Sequence, residues 1–198
     1  MISRFLDEYL IDAEIIREDD KAIIQYGIYG LISTAVNMVT ILTIGVCCNC
    51  ILESVLFAVT FYFLRIHAGG YHARTPLQCY FWSVMIAFLN FGIIHKLALE
   101  FGILTLIFIV ASVIIFLTAP IDSINKPMDA LERNVYRKKT RVIISALVVL
   151  YFAFFFLKTY PVCWSISMAC VNVSTLLVLG AVGKSIIEKH KEEKIYEN

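Results

Sequence analysis

Apolar residues fill long blocks of this chain, and polar residues gather between them. Six blocks stand out, at residues 22–48, 51–64, 79–94, 97–119, 142–157 and 162–182. Crossing a bilayer as a helix takes ~20 apolar residues, with ~17–25 usual. The first, fourth and sixth blocks reach that length. The second, third and fifth fall short, so each must recruit flanking residues or sit where the bilayer is thin. The second is the weakest and also reads as a re-entrant segment. Ahead of the first block, Ile2, Phe5, Leu6, Tyr9, Leu10, Ala13 and Ile16 recur at helical spacing with acids between them. That pattern predicts an amphipathic helix over 1–20 lying at the membrane interface, an anchor or a lid packed on the other helices. After the last block, residues 184–198 predict a charged, solvated helical tail. The expected fold class is all-α: one polytopic membrane domain over 1–198, with six membrane helices in 22–183 and a basic cytoplasmic loop at 122–141.

Composition supports the same class. The chain is 60% hydrophobic and 17% charged, with a mean hydropathy of +0.79, whereas a soluble domain carries about a quarter charged residues. A net charge of +1 gives no reason to expect nucleic acid as a partner. The acidic N-terminal stretch does not read as a signal peptide. The distribution of Lys and Arg orients the chain. With both termini in the cytoplasm and six crossings, fifteen of the seventeen basic residues fall inside, and only Lys96 and Lys158 fall outside. The positive-inside rule demands such a bias. The same count places residues 65–78 at the cytoplasmic face. The cysteines match no zinc spacing, and most read as small apolar packing residues.

The candidate chemistry lies at residues 65–80, RIHAGGYHARTPLQCY. Thr75, Pro76 and Gln78 form a helix start, with Thr75 as N-cap, Pro76 at the first helical position and Gln78 completing a capping box. Gly69 and Gly70 permit a tight bend. In one unbroken helix His72 and Cys79 would be separated by ~10.5 Å of rise. A break between them allows imidazole to meet thiol. Cys79 then sits in the first turn of a helix, where the macrodipole favours an anion, and His72, Arg65 and Arg74 add positive neighbours that lower a thiol pKa. An activated thiolate with a general base fits those residue types. Packing or solvation of a lone His and Cys is the plainer reading of the same residues. A metal site through His67, His72 and Cys79 lacks a standard ligand spacing, and His67 is expected in a loop. Gln25, Asn37 and Asn90 lie in apolar spans, where polar groups either serve function or join helices.

The run Arg65, Gly70, His72, Ala73 and Cys79 resembles the signature of the accessory gene regulator protein B (AgrB) family, integral membrane cysteine endopeptidases of Gram-positive bacteria. The resemblance extends over most of the chain, including the loop TAPIDSINKPMDALERNVYRKKTR with its Ala-Pro and Lys-Pro pattern. It implies that Cys79 is the nucleophile and His72 the base, with Arg65 and Gly70 supporting the site. The implied substrate is a small propeptide with an amphipathic leader, a central signal segment holding a Cys or Ser, and an acidic tail. Cleavage would leave a thioester on Cys79, and the internal Cys or Ser would close a thiolactone or lactone ring. No matched residue orients the imidazole; Gln25 is the nominee, and Glu53 falls on the outer side. Lys126, Arg133, Arg137, Lys138, Lys139 and Arg141 set topology and contact lipid headgroups, or dock the acidic tail. The resemblance further implies a homodimer and no cofactor. A small transporter or exporter without covalent catalysis, or a partner-binding membrane subunit, are the other classes compatible with the residues alone.

Overall fold

The computed structural model describes residues 21–70, 76–97, 99–121 and 129–196. The amphipathic segment 1–20 therefore lies outside the described residues. The described chain is helical: α1 (Lys21–Cys47), α2 (Ile51–Ala68), α3 (Pro76–Phe88), α4 (Phe101–Thr118), α5 (Ala130–Phe156) and α6 (Tyr160–Tyr196). Among the described residues the only β-type pairing is an isolated bridge between Gly69 and Ile121. The α3 helix continues as a π-helical segment, Leu89–Ile94, and a 3-10 turn, His95–Leu97.

Among the described residues six helical segments are long and apolar enough to span a membrane, and the chain is an all-α, multi-pass membrane protein. The short blocks gain length in the way their flanks allow. The second runs on through Arg65 to Ala68 and reaches 18 residues, about 27 Å at 1.5 Å per residue, so the re-entrant alternative falls away. The third extends through its π and 3-10 turns to Leu97. The fifth starts at Ala130, so the basic stretch expected in a loop is helical over 130–141.

The hairpin between α1 and α2 shows why the first helix stops. Asn49 takes φ 58°, the left-handed conformation that Asn tolerates at a helix C-terminus. Cys50 N–H then donates to Gly45 O at 2.9 Å and Asn49 N–H to Val46 O at 3.1 Å, the two bonds of a Schellman motif. Cys50 folds back and is buried. Burial, with smaller contributions from Cys48 and Glu53, pushes its thiol up to about 11, which suits a packing thiol and not a nucleophile.

The core is built around α6. Half of its membrane span is buried, against at most 28% for any other span. Its inward residues include Cys163, Trp164, Ala169, Cys170, Val173 and Leu177 with Ser165, Ser167 and Ser174. Small residues let helix backbones approach where lipid offers no hydrophobic contrast. The α2, α4 and α5 helices all pack on this one, whereas α3 packs along α1. Tyr80 near the start of α3 meets Thr40 of α1, hydroxyl to hydroxyl at 3.0 Å. Only the far end of the third crossing enters the core. There Phe91 meets Phe57 and Trp164 at ring distances of 5.4 and 5.5 Å, and His95 bonds Glu53 at 3.3 Å. The end that carries Cys79 thus stands beside α1, away from the α6 core.

Candidate active site

Arg65 lies in the last turn of α2, where a cation offsets the negative end of the helix. Its guanidinium Nη1 donates to the Gly69 carbonyl, and Gly69 N–H donates to Arg65 O at 3.3 Å. The helix stops because the next two residues turn left-handed, with φ 68° at Gly69 and 106° at Gly70. L-residues with a Cβ rarely occupy that region.

The turn is clamped from two sides. Gly70 N–H donates to Ile121 O at 3.1 Å, and Ile121 N–H donates to Ala68 O at 3.2 Å. These bonds tie the end of α2 to the chain following α4. On the other side Gly70 packs against α6: a Cβ built on it would stand 3.0 Å from the Leu176 carbonyl oxygen and 2.8 Å from Arg65 Nη1. Backbone angle and space both exclude a side chain. Gly70→Ala is expected to cost about 1–3 kcal/mol in local strain. Gly102→Ala, where a Cβ meets open space, is the control. Thermal unfolding of the two purified variants checks this: the first should melt below the parent, the second with it.

From Gly70 the chain passes through 71–75, outside the described residues, and His72 lies there. Helix resumes at Pro76, the first helical position that the Thr-Pro pattern predicts. Cys79 is the fourth residue of α3, so its backbone belongs to the helix's first turn; its side chain is outside the described set. The left-handed turn at Gly69–Gly70 and the fresh start at Pro76 show that α2 and α3 are separate helices. Gln25 lies in α1 by its backbone, and its side chain is likewise not described.

Of the other candidates, all but Lys126 are placed. His67 is a correction: it belongs to the last turn of α2, not to a loop. Its Nδ1 lies 2.9 Å from Phe63 O; a carbonyl only accepts, so Nδ1 carries the hydrogen. Its ring stands 6.2 Å from that of Tyr136 on α5, which brings α5 to the end of α2 that carries the turn. Glu53, paired with His95, lies 17 positions before Gly70, about 25 Å along the helix, and so is remote from the turn. Asn37 bonds Ser33 O through Nδ2 at 2.9 Å while its Oδ1 is buried without a partner. Asn90 is buried within the π-helical segment. Lys126 lies outside the described residues. Arg133, Arg137, Lys138, Lys139 and Arg141 occupy the first three turns of α5, all exposed, and the Arg141 guanidinium sits 4.9 Å over the Phe116 ring of α4. Among the described residues no three His, Cys, Asp or Glu side chains gather as a metal site.

The sequence pattern missed the partners of the turn. Ile121 bonds Gly70 and the Leu176 carbonyl limits the space beside it, both through backbone atoms far along the chain that leave no local signature. Tyr136 was equally invisible, because its contact with His67 depends on how α5 lies against α2.

The profile of the family described as Accessory gene regulator B matches residues 3–179. An AgrB-like protein of Clostridium perfringens strain SM101 is 29% identical over 174 residues, covering 84% of this chain and 79% of the relative. Accessory gene regulator protein B of Staphylococcus aureus is 27% identical over 126 residues, covering 64% of this chain and 66% of the relative. The protein of the same name from Staphylococcus saprophyticus is 24% identical, covering 74% and 77%. No solved structure matches the chain.

Proposed function

The chain belongs to the accessory gene regulator B family, whose named members tie it to the agr quorum-sensing system, and from that premise we propose that it is a cysteine endopeptidase that cleaves and cyclises a small signal propeptide in the cell membrane of a Gram-positive bacterium. The observation that carries this reading is the helix break. The α2 helix ends in a clamped glycine turn, and Cys79, seven residues after His72, lies in the first turn of a separate helix that starts at Pro76. A helix that starts only at Pro76, after His72, allows imidazole and thiol to meet.

The chemistry follows from that placement. His72 takes the Cys79 proton, and the thiolate attacks the carbonyl after the signal segment. The C–N bond breaks, the imidazolium protonates the leaving amine, and the acidic tail departs. The signal segment stays on Cys79 as a thioester. The peptide's own Cys or Ser then attacks that carbonyl, its proton passes to the Cys79 sulfur by way of His72, and the ring leaves as a thiolactone or lactone. Exchange of one thioester for another is nearly isoenergetic, so cyclisation competes only where water is held off. Arg65 and Gly70 support this site by fixing the turn that precedes His72, and Gln25 is the nominated partner of the imidazole.

Six crossings put both termini, the Gly69–Gly70 turn and the basic start of α5 on one side, which we assign to the cytoplasm from the excess of Lys and Arg there. Lys126, Arg133, Arg137, Lys138, Lys139 and Arg141 divide between headgroup contact and substrate docking. The working unit is a homodimer. The test is product mass. Purified chain in lipid, given a synthetic propeptide with amphipathic leader, internal Cys and acidic tail, should yield a ring one water lighter than the hydrolysed fragment. A linear fragment alone, or an intact peptide, counts against the reading.

A further inference from the structure

We propose that Arg133 and Arg137 dock an acidic segment of the peptide substrate and that Lys138, between equally basic neighbours, does not; this rests on the peptide processing proposed above. The α5 helix has 27 residues, about 40 Å long at 1.5 Å per residue, against a hydrocarbon core of about 30 Å. Its first turns therefore stand beyond the apolar stretch as a rigid post. The side of the post that faces the bundle is fixed by contacts. Thr140, Ile144 and Tyr151 are buried, and Tyr136 is half-buried against His67.

A helix turns about 100° per residue. On that wheel Arg133 and Arg137 lie roughly 20° and 60° from the centre of the bundle-facing side. Lys139 and Arg141 fall about 100° to either side, and Lys138 about 160° away. Arg141 is taken up by the Phe116 ring. Glu132 shares the flank of Lys139, and Asp129, one turn before Arg133, forms no ion pair with it. Neither Arg133 nor Arg137 meets a carboxylate among the described residues.

The neighbour of this face decides what it binds. Because Tyr136 stands against the end of α2, the two arginines overhang the end of the bundle that holds the Gly69–Gly70 turn. Lipid headgroups surround the bundle and meet the opposite side of the post, where Lys138 points. Two guanidiniums one turn apart suit carboxylates, which each can grip with paired N–H donors. An acidic peptide lying across the site fits this surface better than a headgroup does.

The experiment compares neighbours that carry the same charge. Full-length chain in phosphatidylcholine nanodiscs is titrated with a fluorescent Asp/Glu-rich decapeptide and with its Asn/Gln counterpart, and binding is read by anisotropy. Wild type and Lys138→Glu should bind the acidic peptide alike. Arg133→Glu and Arg137→Glu should weaken it about tenfold each, and the milder Arg137→Gln about threefold. The amide peptide should not bind. Equal weakening by Arg137→Glu and Lys138→Glu would mean a diffuse field and overturn the proposal. So would no acidic-peptide binding together with Arg137-dependent attachment to vesicles containing phosphatidylglycerol, which would make the face a headgroup surface. The readout needs no cleavage, and Cys79→Ser should leave Kd unchanged. Peptide binding without catalysis therefore counts against the processing reaction alone.

Discussion

Cys79→Ser abolishes release of the propeptide's C-terminal segment, with an expected loss of about four orders of magnitude or more. The two side chains are nearly the same size, so the loss reports chemistry and not packing. A hydroxyl is far harder to ionise near neutral pH than a thiol, and an imidazole strong enough for one does little for the other. A serine that did acylate would also hold the peptide as an oxygen ester, which lacks the activation that lets an internal thiol displace it. Quantifying the released fragment by mass spectrometry in membranes with matched protein levels checks this. A transporter or a partner-binding subunit would tolerate the substitution, so full activity in Cys79→Ser would remove the enzyme reading.

His72→Ala carries the second largest effect. Losing a general base costs about two to four orders of magnitude, and here the same group also protonates the leaving amine. The pH profile separates this role from a structural one. Without imidazole the thiol must ionise unaided, so the variant's residual cleavage should climb as pH rises while the parent's levels off. A His72→Ala chain that falls in yield or melting temperature, yet keeps the parent's profile in whatever folds, would show that His72 only shapes the segment after the turn.

Much of the architecture was legible in the sequence, because membrane helices are written in local terms. Apolar blocks and the bias of Lys and Arg mark the six spans without knowledge of any contact. Pro76 as a helix start was equally local, since the ring fixes its own φ and restricts Thr75. Errors arose where charge or a single residue type was read without its neighbours. Arg65 and His67 looked like the end of a span, yet α2 carries both to Ala68 because each finds a backbone carbonyl near it. The basic stretch before residue 142 looked like a loop, but Tyr136 and Thr140 pack on the bundle and hold it helical. The π-helical segment around Asn90 had no signal, because it arises where Phe91 must reach both Phe57 and Trp164.

The site divides in the same way. Its residue types were readable: a glycine pair, a preceding arginine, a histidine and a cysteine at the start of a helix. What holds the turn was not, since Ile121 and Leu176 contribute only backbone atoms from distant positions. The division of the basic residues between two faces of α5 also needed the helix's packing, because adjacent positions such as Arg137 and Lys138 are equivalent in sequence and about 100° apart around the helix.

The most direct measurement is the intact mass of the chain during turnover. Rapid acid quenching of wild type mixed with propeptide should show a species heavier by the leader and signal segment, sensitive to hydroxylamine and mapped to Cys79. Cleaved peptide with no such adduct at any time point, or an adduct on another cysteine, would contradict a reaction that runs through a thioester at this thiol.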